Sequence, residues 1–504
     1  MRSYSAMPGE TARGNEGDRS PLEKFLALFA DVKRGEAITA LLMFLNIFLI
    51  LTAYYILKPV REALTIGGVR LWNIEGDEAK TYLSVLMAVL LIGIVPLYGY
   101  LGQRMKRLKL LWITTIFTVT SLVAFFLWGS ATGVNTGIGV SFFVWLGIVN
   151  YFLVAQFWSY ANDIYTEQQG KRLFALVAIG QSLGGLLGTF ITDIGSQYIF
   201  WLMGLAGAIL MVCITLYTIV NRREDRASDA AKRAAAEKPL DKEGGFQLVF
   251  KTKYLFLIAM TVLITNVVNT TGEYLLSNAA KNRSREQVPA SLVVSGSAAS
   301  DASAAAPGRS TSAAIDEKTL TAEQQQELRN LRGANIGKFY GRFYFIVNLV
   351  GLIIQMFLVS RIIKYMGVRV ALFVMPLVAL GGYAAIGVLG GLMVIRVVKT
   401  AENAIDYSLQ NTIKQALFLP LSREAKYKAK AATDVFFVRI GDALSAGVIA
   451  LGLHVFGFGV GQLAYVNVVM CALWIAICVG IAREHRRLAH ETDAPAGAQA
   501  APTA

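Results

Sequence analysis

The stretch from Arg396 to Leu421, RVVKTAENAIDYSLQNTIKQALFLPL, sets Arg396, Lys399, Glu402, Asp406 and Lys414 inside a run whose neighbours on both sides are apolar. At about 100° per residue, Arg396, Lys399, Asn403, Asp406, Gln410 and Lys414 share one face of a helix. A charge at the centre of a bilayer costs about 2.5–3.5 kcal/mol on insertion scales. Such a row faces partner helices or water, and the simplest reason for it is a charged molecule passing through. The cations at depth, Arg61, Lys399 and Lys414, exceed what a carrier of cations or sugars needs. Arginine and lysine suit phosphate and carboxylate oxygens, and nearby tyrosines suit a planar ring. Asp163 and Glu273 either pair with the cations in an empty site or bind amine and hydroxyl groups. Together these residues point to an organic anion.

Four further polar clusters lie in or at the ends of apolar segments. Tyr54, Lys58, Arg61 and Thr65 fall on one face of YYILKPVREALT, where Pro59 is expected to kink the helix and free backbone groups. The alternative is that Lys58 and Arg61 snorkel to an interface. Gln156, Ser159, Tyr160 and Asp163 share a face of QFWSYAND, as binding groups or as a polar helix end. Glu273 follows Asn266, Asn269, Thr270 and Thr271, as a ligand or as an outer-end carboxylate. Lys338 and Arg342 stand one turn apart beside Tyr340 and Tyr344, an arrangement that suits an interfacial anchor as well as a ligand contact.

The elements that must position these groups are membrane helices. Charged residues form 16% of the chain, against about 25% in soluble domains, and hydrophobic residues form 55%; mean hydropathy is +0.50. About 20 apolar residues span a bilayer. Twelve such segments are predicted, at 37–57, 81–101, 109–129, 138–161, 173–194, 198–220, 254–276, 337–359, 369–388, 390–414, 434–453 and 461–481. Residues 1–36 lack the pattern of a cleaved signal peptide, so the first segment is expected to be retained. Lys and Arg gather in alternate loops: Arg104, Lys106, Arg107 and Lys109; Lys171 and Arg172; Arg222 and Arg223; Arg361, Lys364 and Arg369; Arg423, Lys426, Lys428 and Lys430. The loops at 130–137, 195–197 and 454–462 hold none. This positive-inside pattern predicts that both termini are cytoplasmic. It also assigns the net charge of +14 to membrane topology, so no nucleic acid is expected as a partner.

The chain divides into an N-terminal tail (1–36), a six-helix bundle (37–220), a charged Ala-rich linker (221–253), a second bundle (254–482) and a C-terminal tail (483–504). A low-complexity outer loop is expected at 277–335, with a short helix within 315–332. The bundles repeat. Ile179-Gly180-Gln181-Ser182-Leu183 matches Ile440-Gly441-Asp442-Ala443-Leu444; Arg104 and Arg107 match Arg361 and Lys364; Glu62 matches Glu273. Gly180, Gly184 and Gly188 form a small-residue ridge suited to close helix packing. Two parallel sets of six spans resemble the major facilitator fold, which implies a site between the halves near the midplane. Gly99-Tyr-Leu-Gly-Gln-Arg104-Met-Lys-Arg107 resembles that superfamily's loop signature between spans two and three.

Other chemistries are not supported. Cys213, Cys471 and Cys478 lie in apolar runs with no disulfide or zinc spacing, and His454, His485 and His490 are scattered. No metal, cofactor or enzymatic activity is expected. No phosphate-binding G-x-x-x-x-G-K-[ST] loop occurs, so energy is expected from a gradient or from exchange.

Three segments resemble the ATP/ADP translocases of intracellular bacteria and plastids. Phe157-Trp158-Ser-Tyr160-Ala161-Asn162-Asp163-Ile164 with Lys171-Arg172-Leu-Phe174 is similar to that family's FW-x-FAN-E-I…KRFY pattern. Tyr407-Ser408-Leu409, Lys414-Gln415-Ala-Leu-Phe-Leu-Pro420-Leu421 and Lys428-Ala-Lys430-Ala431-Ala432-Thr-Asp434-Val435 are similar to its YSL…KE-x-AYIPL…KGKAA-x-DV pattern. Ile56-Leu57-Lys58-Pro-Val-Arg61-Glu62-Ala-Leu64 is similar to its ILRD-x-KD-x-L segment. The resemblance implies nucleotide exchange by a monomer in a bacterial inner membrane. It also implies that four charged residues of spans one, four, seven and ten, here Arg61, Asp163, Glu273 and Lys414, serve transport. Lys58, Tyr54, Tyr160 and Asn162 join them as candidate substrate contacts. Arg61 and Lys414 are expected on phosphate oxygens, with Asp163 and Glu273 holding those cations when nucleotide is absent. Arg396, Lys399, Glu402 and Asp406 are expected to pair among themselves and with Arg439 or Asp442 as a supporting network. Departures are Arg61 for Lys, Asp163 for Glu, Gln410-Asn411-Thr412 for Phe-Asp-Pro, and Arg439-Ile-Gly-Asp442 for Gly-Lys-Ser-Gly. The alternative is a carrier of another organic anion, proton-coupled through Asp163, Glu273 or Asp406.

Overall fold

The computed structural model describes residues 33, 35–71, 74–104, 107–165, 167–227, 249–286, 321–418 and 433–493. The first half comprises α1 (Ala37–Gly68), a hairpin of β1 (Arg70–Leu71) and β2 (Ile74–Glu75), α2 (Gly76–Arg104), α3 (Arg107–Thr132), α4 (Thr136–Ile164), α5 (Glu167–Gly195) and α6 (Ile199–Ala227). The second comprises α7 (Lys253–Glu286), α8 (Ala322–Ile353), α9 (Val359–Ala371), α10 (Val374–Leu389), α11 (Leu392–Ile405), α12 (Asn411–Leu417), α13 (Val438–Ala450) and α14 (Val460–Asp493). π-turns at Ile354–Leu358 and Asp406–Gln410 join α8 to α9 and α11 to α12. Buried apolar residues form two cores, one drawn from residues 37–220 and one almost wholly from 249–481.

Eight helical stretches among the described residues are long and apolar enough to cross a membrane, or nine if the pair Arg361–Ala371 and Val374–Leu389, bent by 76°, is one span. Twelve were expected. α10 alone has 16 residues, about 24 Å at 1.5 Å per residue, which is short of a hydrocarbon core of about 30 Å. The stretch Leu392–Leu417 carries too much charge to count on composition. Pro59 lies inside α1, which continues to Gly68.

The expected outer loop is shorter at both ends than 277–335. α7 continues to Glu286 and α8 begins at Ala322. Thr321 Oγ1 accepts from Gln324 N (3.3 Å), and Gln324 Oε1 accepts from Thr321 N (3.0 Å). This capping box starts a helix that no Gly or Pro breaks, so the short helix expected within 315–332 is the first three turns of α8. The low-complexity residues 287–320 lie outside the described residues.

The glycine ridge of α5 sets the helix pairing of the first half. A Cβ on Gly180 would stand 2.8 Å from the carbonyl oxygen of Phe44, and one on Gly184 or Gly188 would press still closer on those of Phe48 and Thr52. One turn on, Thr192 Oγ1 donates to Ile56 O at 3.2 Å. α5 therefore runs parallel to α1 at backbone contact. α6 runs back along α1, with Ile199 near Ala63 and Cys213 Sγ near Asn46 O. In the second half, a Cβ on Gly441 would stand 2.9 Å from Leu263 O of α7. The two glycines matched by sequence thus perform the same task against the first helix of each half. Gly184→Ala is expected to destabilise the protein by about 1–3 kcal/mol, the usual cost of overpacking. The check is a lowered melting temperature of the purified protein in detergent.

The halves meet firmly at the end carrying the β-hairpin. Lys281 Nζ lies 2.6 Å from Glu75 and 2.7 Å from Asp77, and Arg285 pairs with Glu75. His454 Nε2 lies 2.6 Å from Glu78 Oε1. Asn330 Oδ1 accepts from Val134 N at 3.0 Å, and Arg342 pairs with Asp193 at 2.9 Å. Partial burial pushes the Glu75 carboxyl up, but the bonds from Lys281 and Arg285 outweigh it and hold Glu75 below the usual carboxylate range.

Candidate functional site

Just inside this sealed end, α1, α2, α7 and α11 bring their charges into one chain. Glu62 is fully buried and accepts from Arg61, its neighbour. Lys80 of α2 lies 2.8 Å from Glu62 and 3.5 Å from Glu273 of α7. Lys399 of α11 lies 3.7 Å from Glu273 and 2.8 Å from Glu402. The order Arg61–Glu62–Lys80–Glu273–Lys399–Glu402 alternates in sign and crosses between the halves at Lys80–Glu273. Hydrogen bonds add to the ion pairs. Asn403 Nδ2 donates to Glu273 Oε1 (3.1 Å), Lys399 Nζ to Asn269 Oδ1 (2.9 Å), and the Tyr383 hydroxyl to Glu402 Oε2 (2.7 Å). Gly272 makes room: a Cβ there would collide with the Tyr383 hydroxyl and stand 3.1 Å from Lys399 Nζ. Burying charges is tolerated only when they are paired and hydrogen-bonded.

Lys58 stands beside this chain with aromatic partners. Its Nζ donates to the Tyr407 hydroxyl at 3.1 Å and sits 3.8 Å from the centre of the Tyr344 ring. Both partners belong to the other half, so Lys58 joins the halves through a cation–π contact. It is buried, not snorkelling to an interface.

Away from the hairpin, a cavity of about 910 Å³ opens between the halves, within the usual size of ligand sites. Tyr55, Asn266, Asn269, Asn348, Asp406, Tyr407, Gln410 and Lys414 are among its lining residues. Its walls come from α1, α4, α5, α7, α8, the π-turn with α12, and α13.

The charged row of the sequence is therefore split. A π-turn takes in one extra residue, so the Asp406–Gln410 turn rotates α12 by about 100° relative to a regular helix. Lys399, Glu402 and Asn403 point into the protein, whereas Asp406 and Lys414 line the cavity. Arg396 lies apart, 5.7 Å from the Phe339 ring. Arg439 and Asp442 were expected to pair with this row and do not. Arg439 pairs with Asp442 at 2.9 Å, and Asp442 accepts from Asn266 (2.7 Å) and Thr270 (3.2 Å) of α7. Parallel packing of α13 on α7 presents those groups first.

The other expected site residues divide likewise. Arg61 packs over the Phe143 ring at 4.7 Å and is held by Glu62 in place of Glu273. Glu273 holds Lys80 and Lys399 instead of Arg61 and Lys414. Tyr54 meets the edge of Tyr55 at 5.2 Å. Tyr160 is buried in the first-half core against Tyr217, 5.2 Å away, and does not line the cavity. Asn162 and Asp163 lie in the last turn of α4, and the motif residues 419–432 lie outside the described residues. Sequence reasoning missed Lys80 entirely, because it sits in the first turns of a helix beside Asp77 and Glu78 and reads as a solvated end. Glu62 had a signal in its match to Glu273. Both carboxylates turn out to flank Lys80.

The family model of the Major Facilitator Superfamily matches residues 5–189 and 172–305, and that of the TLC ATP/ADP transporter matches residues 384–485. A curated relative, ADP,ATP carrier protein 1 of Chlamydia pneumoniae, is 21% identical over an alignment covering 68% of each chain. A mutant of the nucleoside transporter NupG matches with TM-score 0.54 at 9% identity, covering 88% of this chain and 98% of the other. An auto-inhibited POT family peptide transporter matches with TM-score 0.53 at 10% identity, covering 89% and 97%. At such identities the solved structures speak to the fold alone.

Proposed function

Because the chain belongs to the major facilitator superfamily, we propose that this integral membrane protein is a secondary transporter that exchanges ATP and ADP by alternating access. One observation carries the reading. The segment matching the TLC ATP/ADP transporter family, 384–485, contains the stretch whose Asp406 and Lys414 line the inter-half cavity. The likeness to ADP,ATP carrier protein 1 supports the same substrate.

In this reading the chain crosses the membrane twelve times. The stretch Ile179–Arg223 counts as two spans, since α5 and α6 run in opposite directions along α1. α2 and the charged α11–α12 unit add two more, and the bent pair before Leu389 counts as one. The hairpin end faces outward, both termini are cytoplasmic, and the membrane is a bacterial inner membrane in which a monomer operates. The structure then corresponds to a carrier closed on the outside with its cavity open to the cytoplasm.

Lys414 receives the phosphates from the cytoplasmic side. Opening the outer end separates Glu273 from Lys80 and Lys58 from Tyr344 and Tyr407, which leaves three cations, Lys58, Arg61 and Lys80, beside the single carboxylate of Glu62 in a site of low dielectric. Nucleotide phosphates supply the replacement charge, to Lys58, Lys80 and Arg61 as the site passes outward. An empty carrier lacks that charge and is held back, and this couples outward and inward steps as exchange. Asp163 keeps its expected place among the transport residues.

The test is uptake of labelled ATP into liposomes holding the purified protein. Uptake is expected to require internal ADP. Equal uptake into nucleotide-free liposomes, driven by an imposed pH gradient, would instead indicate a proton-coupled carrier.

A further inference from the structure

Among the carboxamides lining the cavity, Asn266 donates to Asp442 and Val438, and Asn269 accepts from Lys399. Two hold buried atoms with no partner among the described residues: the donor Asn348 Nδ2 of α8 and the acceptor Gln410 Oε1 of the π-turn. Gln410 is only 6% exposed. A buried polar group left unpaired weakens a protein, and both residues line the same cavity.

The surroundings define the ligand's shape. α8 packs directly on the segment leading into the π-turn, for a Cβ on Gly351, one turn past Asn348, would lie 3.5 Å from Ala404 O. A Cβ on Gly185 would lie 3.2 Å from Asn348 Nδ2 and 3.3 Å from Tyr55 Cε2. Tyr55 and Asn348 therefore pack side by side against Gly185. Tyr55 supplies a ring face for stacking. Lys414 stands four residues beyond Gln410, about 6 Å along the helix, where a phosphate chain would follow.

We propose that Asn348 and Gln410 read the base of the transported nucleotide, selecting a 6-aminopurine stacked on Tyr55. A 6-aminopurine offers a ring-nitrogen acceptor next to an exocyclic amino donor, which matches the donor of Asn348 and the acceptor of Gln410. A 6-oxopurine has a carbonyl where the amino group stands, and it sets an acceptor against Gln410 Oε1. The proposal rests on the nucleotide-transport reading above and extends it to the base. It assigns specificity to a position where the sequence departs from the translocase pattern, Gln410 standing for Phe.

The test compares ATP with inosine triphosphate, which differs at that edge, by binding to the purified full chain and by competition against labelled ATP uptake. The wild type is expected to favour ATP by about 5- to 100-fold. Gln410→Leu is expected to bring the ratio close to one, and Gln410→Glu, which keeps an acceptor, to retain a preference for ATP. Melting of each variant reports whether it is folded. A folded Gln410→Leu protein with the wild-type ratio, or a wild type that binds both nucleotides equally, overturns the base reading and leaves nucleotide transport standing. A wild type that binds neither overturns both.

Discussion

Lys399→Met is expected to destabilise the protein by about 3–5 kcal/mol, the cost of removing one member of a buried ion pair. Lys399 is fully buried, and its ammonium lies 2.8 Å from Glu402 and 3.7 Å from Glu273. Methionine fills much of the same volume but, among the described residues, leaves the buried Glu402 without a cation and Glu273 with Lys80 alone. Asn269 and Tyr383 remain as hydrogen-bonding groups but cannot neutralise charge. The double variant Lys399→Met/Glu402→Gln is expected to recover part of the loss, because the orphan carboxylate is then gone. Melting of the purified proteins in detergent checks both. A single variant as stable as the wild type would mean that the Lys399–Glu402 pair adds nothing, its Coulombic gain cancelled by desolvation.

Lys414→Ala is expected to reduce ATP uptake by about 10- to 100-fold, with little change in melting temperature. A hydrogen bond to a charged group contributes about 1.5–3 kcal/mol, and each 1.4 kcal/mol is tenfold. Lys414 differs from Lys399 in its surroundings. It is half-buried and lines the cavity, whereas Lys399 is fully buried. Lys414→Arg is expected to keep much of the uptake, since guanidinium also binds phosphate. Exchange measured in liposomes over a range of ATP concentrations decides the matter. Unchanged uptake in Lys414→Ala would remove this residue from the substrate path. The two lysines, fifteen positions apart in what reads as one helix, are thus expected to fail in different assays: one in melting, the other in transport.

Much of the fold was legible in the sequence because it follows from local rules. Apolar runs of span length announce helices whatever they pack against. The glycines at 180, 184 and 188 recur every four residues, and that spacing alone demands a backbone neighbour. The match of Gly180 with Gly441 survives in the structure as two equivalent close approaches to α1 and α7. Even the charges inside the segment from Arg396 to Lys414 required a polar interior before any partner was known.

The partners themselves were a tertiary decision. Lys80 and Glu62 could not be read as members of one chain, because ion pairing depends on where helices distant in sequence cross. Arg439 and Asp442 were assigned to the wrong neighbour for the same reason: α13 lies along α7, so Asn266 and Thr270 reach Asp442 first. Nor does spacing reveal a π-turn, since one extra residue in a turn leaves no mark on composition. Yet that turn separates the buried Lys399–Glu402 pair from the cavity-lining Lys414. Residue types along the chain determined that charge must lie inside this protein. The packing of α1, α2, α7 and α11 decided which charges cancel one another, because a Coulombic partner must come within a few ångströms and only the folded chain sets that distance.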